Sequence, residues 1–282
     1  MKKPFDIYFK GYEDLGYELD NKIGGVRYGV GFTAEYQAIL DYATLQGYTL
    51  PSYSVQVLDN QQIVSLKAAG IWNLLDVFYQ FATDGDSNFA CINWKSPGNF
   101  SCLKVSSPTF TSLEGFTGNA TTAYLNTQWK ALTNGVNYTQ NNAHAFAYVR
   151  SIGATGQILG NGNSAAQPVL DLFNTSRLRI NGDNNVTVQA PIVTPGCWLG
   201  NRIDVNNFEV NVNGSIAAGV RATYGMPSLN TYILAVNTFG SASQFGNSQV
   251  SCASFGANMT AKASGYFSII EARMDALGKG VV

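Results

Sequence analysis

Charged side chains are scarce in this sequence. Only 12% of its 282 residues are Asp, Glu, Lys or Arg, about half the share that is usual in soluble domains. The 17 basic and 18 acidic residues leave a formal net charge of −1, and they form no basic cluster. Because nucleic-acid binding needs a basic surface that releases counterions, we expect no nucleic-acid partner.

Long apolar segments are also missing. No segment approaches the roughly 18 apolar residues of a membrane helix, so membrane insertion is not expected. The N-terminal MKKPFDIYFK has two lysines directly after Met1, but Pro4, Asp6 and Lys10 interrupt the apolar stretch that a secretory signal requires. We therefore expect no export by the general secretory route.

The residue types that carry most catalysis are few. The one histidine, His144, lies in an alternating apolar segment typical of a strand. Zinc sites need three or four converging ligands, and hydrolytic triads need a histidine base, so we expect no catalytic residue, no metal and no other cofactor. Four widely spaced cysteines predict buried, reduced thiols, with a disulfide between the first two as the alternative. They are Cys91, Cys102, Cys197 and Cys252.

Carboxyl pairs are missing as well. Glycoside hydrolysis needs two carboxyl groups about 5–10 Å apart. Only Glu209 among the glutamates lies convincingly in a predicted strand, and Asp204 falls on the opposite face of that strand. Residues 84–88, DGDSN, resemble the start of a calcium loop, but Phe89 and Lys95 stand where such a loop needs Gly and Glu. The sequence predicts a protein that is not an enzyme, and weak calcium binding at 84–88 stays open.

Apolar residues are plentiful, at 45%, which is typical of a globular chain. Thr33 can cap a first helix that ends at Gly47, and the spacing predicts further helices over 54–69 and 261–278. Between them, short runs rich in β-branched and aromatic residues alternate with turn residues, and Asn213-Gly214 predicts a type I′ hairpin. The predicted strands are 75–82, 89–94, 143–150, 186–190, 207–213, 215–222, 230–237 and 248–255.

These elements predict a mainly β protein, an antiparallel β-sandwich with two helices near the N-terminus and one C-terminal helix. We expect residues 33–282 to form this sandwich with its peripheral helices. Residues 1–32 contain frequent Gly and Tyr but no persistent helical or alternating period. This arm either packs as a loop on its own domain or attaches the chain to a larger assembly.

Aromatic residues suggest a binding surface. The chain has 16 Phe, 15 Tyr and 4 Trp, many of them beside Asn and Thr. Aromatic rings can pack on the apolar faces of sugars, and the neighbouring Asn and Thr can form hydrogen bonds with sugar hydroxyl groups. Trp72 and Trp94 are predicted to lie in the core. Four other aromatic residues lie in or near predicted loops and are the candidate ligand-binding residues. They are Trp129, Tyr138, Trp198 and Tyr224.

Three successive C-terminal segments resemble the laminin-G/concanavalin-A-like lectin fold, a jelly-roll sandwich. They are NNFEVNVNGSIAAGV, LNTYILAVNTFGS and VSCASFGANMTAKASGYFSIIEARMDALG. The central segments ILDYATLQGYTLP, LKAAGIWNLLDVFYQFA, INWKSP and GFTGNATTAYLNTQW resemble tailed-bacteriophage virion proteins that carry this lectin-like sandwich. Together the matching segments span roughly residues 33–282. No acidic constellation matches the family's calcium ligands.

This resemblance implies a structural virion protein, displayed on the tail or capsid as a fibre, tip or decoration. It would be made in the cytoplasm of the host bacterium and located in the virion. Other virion proteins would contact the arm 1–32, the chain would form a homo-oligomer, and the sandwich would face host-surface glycans. The alternatives are a non-viral carbohydrate-binding module and a polysaccharide depolymerase.

Overall fold

The computed structural model describes residues 31–162, 169–182 and 188–282. Residues 1–30, nearly all of the predicted arm 1–32, lie outside this part, so both interpretations of the arm stay predictions. The described residues form a β-sandwich with a layer of helices on one of its two sheets. The mainly β antiparallel sandwich, its two early helices and its closing helix are therefore confirmed.

The helices begin and end close to the predicted positions. They are α1 (Ala34–Leu45), α2 (Tyr53–Ala68), α3 (Ala131–Asn134) and α4 (Ala263–Ala276). Thr33 caps α1 as predicted, because its Oγ1 accepts a hydrogen bond of 3.3 Å from the N–H of Tyr36. Gly47, with φ +71°, supplies the left-handed residue that follows this helix. Among the α-helices of the described residues, only the short α3 was not anticipated.

Seventeen strands lie in the described part of the chain. They are β1 (Leu75–Gln80), β2 (Leu103–Val105), β3 (Thr109–Thr111), β4 (Gly115–Thr117), β5 (Tyr124–Lys130), β6 (Ala143–Ser151), β7 (Gln157–Asn161), β8 (Val169–Phe173), β9 (Arg177–Gly182), β10 (Val188–Gln189), β11 (Gly196–Arg202), β12 (Asn207–Val212), β13 (Ser215–Val220), β14 (Asn230–Ile233), β15 (Val236–Thr238), β16 (Ser241–Ser243) and β17 (Gln249–Gly256).

The strands form two sheets. In the first, named the covered sheet, the order is β13-β12-β11-β6-β17-β4-β3, and β1 also pairs with β17. In the second, named the open sheet, the order is β10-β9-β8-β7-β14-β5-β2, with β15 and β16 beside β7. The described pairings are antiparallel except for one bridge between β15 and β7.

Alternation along the strands gives the covered sheet two apolar faces. In β6, Phe146 and Tyr148 pack in the cluster that contains the helices, whereas Ala145 and Ala147 pack in the cluster between the sheets. The ring centroids of Phe146 and Tyr266 of α4 are 4.6 Å apart. The covered sheet is therefore the middle layer of the molecule.

Most predicted strands are confirmed, and two errors have local causes. Segment 89–94 begins instead with a 3₁₀ turn, because Asp86 Oδ1 accepts the N–H groups of Asn88 and Phe89 at its start. Segment 230–237 is divided into β14 and β15, since Leu234 has φ +68° and interrupts the extended backbone. Of segment 186–190, the described part contains the two-residue β10, and 186–187 lie outside it.

The predicted hairpin at Asn213-Gly214 is confirmed. These residues have φ values of +50° and +90°, as both central positions of a type I′ turn require. Val212 lies opposite Ser215, and the register continues to Asn207 opposite Val220. The turn thus fixes the register in which β13 pairs with β12.

A buried ion pair connects the helical layer to the covered sheet. Asp59 of α2 and Arg273 of α4 are 0% and 4% exposed. Arg273 Nε donates to Asp59 Oδ1 over 2.8 Å, and its Nη2 contacts the same oxygen and donates to the carbonyl of Ala82, which follows β1. The hydroxyl of Tyr36 in α1 donates to Asp59 Oδ2 over 3.0 Å. One carboxylate and one guanidinium thus connect three helices and the segment after β1.

Burial raises the pKa of the Asp59 carboxyl, and the Arg273 guanidinium and the Tyr36 hydroxyl oppose this rise. Removing one member of such a pair leaves a buried charge without compensation, which costs about 3–5 kcal/mol. We therefore expect Arg273→Met to lower the free energy of unfolding in urea by that amount. Lys67→Met is the control, because the Lys67–Glu35 pair is partly exposed and its loss costs about 1 kcal/mol or less. Equal losses for the two variants would contradict this role of the buried pair.

Candidate functional site

Three of the four predicted ligand-binding aromatics lie in the core. Trp129 and Trp198 are 0% exposed and Tyr138 is 1% exposed. Trp129 stacks on Phe255, with ring centroids 5.2 Å apart and planes 9° apart. The indole Nε1 of Trp198 donates to the carbonyl of Thr194 over 2.8 Å. This corrects the prediction for all three, because a fully covered ring has no face on which a sugar could stack.

Tyr138 is drawn inward by a carboxylate that precedes it by 62 residues. Asp76 of β1 accepts the backbone N–H groups of Val136, Asn137 and Tyr138 over 2.8–3.0 Å. The Tyr138 hydroxyl then donates to Asn181 Oδ1 over 2.7 Å inside the sandwich. A loop position in the sequence therefore becomes a core position in the fold.

Tyr224 is the only candidate of the four that is exposed, at 54%. It follows β13, and its backbone N–H donates to the carbonyl of Asn181 at the far end of β9. Its role in ligand binding stays a prediction. Trp72 and Trp94 are 5% and 1% exposed, so their predicted place in the core is confirmed.

His144 is a packed strand residue. It is 0% exposed, and its ring nitrogens lie 2.6 Å from the carbonyl of Ala257 and 2.9 Å from Ser254 Oγ. Burial lowers the pKa of the imidazole to about 4, although contacts with the backbone of Ala257 and Gly256 oppose the change. The ring is therefore neutral at physiological pH.

The two carboxylates singled out in the sequence, Asp204 and Glu209, make structural hydrogen bonds, the first with backbone groups and the second with side chains. Asp204 Oδ1 accepts the N–H groups of Asn206 and Asn207 in the turn before β12. Glu209 Oε1 accepts hydrogen bonds from Asn201 Nδ2 and from Thr260 Oγ1. Within the described ranges, no group of three His, Cys, Asp or Glu side chains could hold a metal ion.

The segment 84–88 accepts backbone N–H groups from the residues before α2 and from the 3₁₀ turn that follows it. Asp84 Oδ1 accepts the N–H of Ser52. Asp86 Oδ2 accepts the N–H of Thr49, and its Oδ1 accepts two more N–H groups at the 3₁₀ turn. Partial burial raises the pKa of Asp86, but the backbone N–H groups outweigh it and lower the pKa below its usual value. These contacts engage Asp84 Oδ1 and both carboxylate oxygens of Asp86, and weak calcium binding at 84–88 stays open.

The four cysteines are buried as free thiols, which agrees with the prediction. Cys102 donates its N–H to the carbonyl of Cys91 over 2.8 Å, so the two lie side by side without a disulfide. Burial raises the pKa of the Cys91 thiol to about 12, and Lys104 opposes the rise. A thiol with such a pKa is a poor nucleophile at neutral pH.

The outer face of the open sheet carries a different set of side chains. Leu178 and Ile180 of β9 pack between the sheets, so Arg177 and Arg179 lie on the other face of the strand, where Arg177 is half-buried and Arg179 is buried. The guanidinium carbons of these arginines lie 4.6 and 4.8 Å from the ring centroid of Phe173 at the end of β8. Cationic and aromatic groups thus meet on the side of the sandwich opposite to the large helices.

A groove of about 510 Å³ lies at this edge of the open sheet. Phe173 and Arg177 form one wall, and Gln244 and Phe245, which follow β16, form another. None of the described residues that line it is Asp or Glu. Its lining consists of Ala120, Thr155, Gly156, Gln157, Phe173, Asn174, Arg177, Gln244 and Phe245.

Close backbone packing fixes the second wall. A Cβ on Gly156, which has φ +80°, would lie 2.2 Å from the carbonyl oxygen of Phe245. A Cβ on Gly246 would lie 2.5 Å from the carbonyl oxygen of Gln157. Only glycine permits these approaches. Residues 244–246 are therefore held against the start of β7.

Gln157 gives the groove an unused hydrogen-bond acceptor. The side chain is 2% exposed, and its Nε2 donates to Gln244 Oε1 over 2.7 Å, whereas its Oε1 has no partner. A buried acceptor without a donor costs about 1–3 kcal/mol. A ligand hydroxyl that enters beside Gln244 would relieve this cost.

Aromatic rings continue from the groove along the open sheet. The ring centroid of Phe245 lies 6.1 Å from that of Tyr124, and the Tyr124 centroid lies 4.5 Å from that of Tyr232. Burial and the neighbouring Tyr124 raise the pKa of Tyr232 to about 12. Tyr232 therefore keeps its hydroxyl proton at neutral pH.

A second groove of about 620 Å³ lies between α4 and strands β11–β13. Phe267 of α4 and Ile216 of β13 are among its apolar lining residues, and Glu271 and Asp275 are its acidic ones. Glu271 Oε1 accepts the N–H groups of Val281 and Val282. The end of the chain therefore uses part of this carboxylate.

The sequence contains a signal for the first groove that the search for loop aromatics missed. The segment VLDLF-NTS-RLRI has two alternating strands around a three-residue turn. In the hairpin, Leu172 pairs with Leu178, so Phe173 and Arg177 come next to each other on the other face. Hairpin pairing, together with the apolar alternation, would have placed a phenylalanine beside an arginine.

Comparison with known proteins gives remote likenesses. No family model and no curated protein matches the chain. A mutant Trypanosoma rangeli sialidase with trans-sialidase activity is 11% identical, with a TM-score of 0.43 over 80% of this chain and 40% of its own. A mutant of the NanB sialidase of Streptococcus pneumoniae is 11% identical, with a TM-score of 0.35 over 44% of this chain and 23% of its own. Domain 4 of AbnA, an extracellular arabinanase of Geobacillus stearothermophilus, bound to arabinotriose, is 14% identical, with a TM-score of 0.40 over 69% of this chain and 97% of its own.

The chain thus spans less than half the length of these two sialidases. The fold is assigned from the two sheets described above. No helix in the described part of the chain has the length and apolar character needed to span a membrane.

His144 makes stability depend on pH in a defined window. Its pKa is about 4 in the folded protein and about 6.5 in an unfolded chain. Because the folded state disfavours the proton, stability is full above pH 6.5 and falls as the pH drops towards 4, by about 3 kcal/mol in total. We expect urea unfolding to show this loss already between pH 6.5 and 4.5, and His144→Gln to reduce the slope. An unchanged slope in the variant would contradict the assignment, since the chain has no other histidine.

Proposed function

We propose that this protein is a non-catalytic glycan-binding β-sandwich of a tailed-bacteriophage particle, and that the first groove holds a host-surface glycan. The observation that carries the binding role is the combination of Phe245, Arg177 and Gln157 at one edge of the open sheet. The particle itself is proposed from the sequence resemblance alone.

The chemistry of the groove suits a sugar. Phe245 is half-buried, and a sugar ring can pack its apolar face on such an aromatic side chain. Arg177 donates with Nε to Thr175 Oγ1 over 3.0 Å, which holds the guanidinium in place beside Phe173. The amides of Asn174 and Gln244 supply further donors and acceptors for hydroxyl groups.

The lining favours binding over hydrolysis. Glycosidases need two carboxyl groups about 5–10 Å apart, and the described lining residues include none. The carboxylates Asp86, Asp204 and Glu209 are engaged in hydrogen bonds elsewhere. We therefore place the depolymerase role second to simple binding.

The groove variants test this function. We expect the purified protein to bind host-type cells saturably, with competition by soluble surface polysaccharide. Phe245→Ala and Arg177→Met should each weaken binding at least tenfold, equivalent to about 1.4 kcal/mol. Titration of labelled protein against cells gives the affinities, and circular dichroism checks that each variant is folded.

Two control variants separate the groove from other aromatic positions. Phe239→Ala removes a ring that is 60% exposed and lies outside the groove, so binding should stay unchanged. Tyr224→Ala tests the aromatic candidate at the other end of β9. A loss with Tyr224→Ala and none with Phe245→Ala would move the site away from the groove. If the protein releases reducing ends from the polysaccharide, its function is that of a depolymerase and not simple binding.

The virion role has its own test. If residues 1–32 attach the chain to other virion proteins, a chain that lacks them should fold but stay out of assembled particles. Immunoblotting of purified particles measures incorporation, with the full chain as the control. Incorporation of the shortened chain at the level of the full chain would refute attachment through the arm, and absence of the full chain from particles would favour a non-viral carbohydrate-binding module.

A further inference from the structure

Strand β13 is a long edge of the covered sheet. It pairs with β12 on one side and ends the strand order on the other, as far as the described residues show. Its segment SIAAGV contains no charged residue and no proline. Ile216 and Val220 are 52% and 76% exposed. Such an edge offers unpaired backbone groups to another strand.

The other edges in the described part of the chain are short or covered. Strand β10 has two residues, and β2, β3 and β16 have three each. Strand β1 is flanked by residues 93–94, since Trp94 donates its N–H to the carbonyl of Phe78. Short edges are a common protection against pairing with other chains. With six residues, β13 lacks this protection.

The hairpin register shows which backbone groups of β13 point outward. In a two-residue hairpin the residues that flank the turn exchange hydrogen bonds, so Ser215 faces Val212. Arg221 also faces β12, because its N–H donates to the carbonyl of Asn206 over 2.7 Å. The residues with odd numbers therefore bond to β12. The N–H and C=O groups of Ile216, Ala218 and Val220 point to the open edge.

We propose that β13 pairs with β13 of a second copy of this chain, antiparallel and about a two-fold axis at Ala218. When the two-fold axis is perpendicular to the sheet, each residue pairs with a residue of the partner whose side chain points to the same face. The axis must therefore pass between a residue and the same residue of the partner, because an axis between two consecutive residues would pair side chains that point to opposite faces. At Ala218 the outward backbone groups of both copies meet. Ala218 exchanges two hydrogen bonds with the partner's Ala218, and Ile216 and Val220 exchange two with each other at either end.

The side chains fit this register. Ile216 lies opposite the partner's Val220, so that two exposed apolar side chains cover each other at both ends of the ribbon. The central position pairs two alanines, which need little room. Because residues 215–220 carry no charge, self-pairing brings no like charges together. The occupant that matches this edge in register, size and charge is a second copy of the same strand.

Cysteine cross-linking tests the register. In a hydrogen-bonded antiparallel pair the opposing Cα atoms are about 5.5 Å apart, within the range that a disulfide spans. Ala218→Cys should therefore give a covalent dimer under mild oxidation, on a non-reducing gel. In Val220→Cys the two new thiols lie four residues apart along the ribbon, about 13 Å by strand rise, so this variant on the same edge should stay uncross-linked.

Sedimentation equilibrium of the full chain completes the test. We expect a mass of twice 30.3 kDa at micromolar concentration, and a monomer for the folded variant Ala218→Pro, which removes the central N–H donor. Exposed Val136→Lys serves as a surface control and should leave the dimer intact. A monomeric wild-type chain, an oligomer that Ala218→Pro leaves unchanged, or equal cross-linking at positions 218 and 220 would overturn the proposal. This inference does not depend on glycan binding.

Discussion

The architecture depends on the buried contact between Asp59 and Arg273. A carboxylate and a guanidinium buried together are expensive to desolvate, and here they are placed where α1, α2, α4 and the segment after β1 meet. An apolar contact would hold the helices without fixing their position along the sheet. The ion pair, with its directional hydrogen bonds, fixes them over one face of the covered sheet.

This placement determines which surface is available for binding. The covered sheet has helices on one face and the open sheet on the other, so its aromatic residues are buried as core. The outer face of the open sheet stays on the side away from the large helices, and there Phe173, Arg177 and Phe245 gather at one edge. The polar part of the groove comes from amides, which agrees with a chain of low charge.

The sequence predicts the fold better than the site, for physical reasons. Caps, glycine stops and the Asn213-Gly214 turn act locally, so α1, α2, α4 and the β12–β13 hairpin follow from short segments. The aromatic candidates depend on long-range packing. Trp129 is covered by Phe255 and Tyr138 by contacts that begin at Asp76, and no local pattern shows either partner. The groove likewise unites residues 155–157, 173–177 and 244–245, which only the sheet order brings together.

The most direct test of the central claim is side-chain NMR of the protein during titration with soluble host-surface oligosaccharide. The account predicts that the Arg177 Nε and Gln157 Nε2 signals shift together and saturate at the ligand concentration at which cell binding is competed. Saturable binding that leaves both signals unchanged, with shifts around Tyr224 instead, would contradict the account and place the ligand at the opposite end of β9.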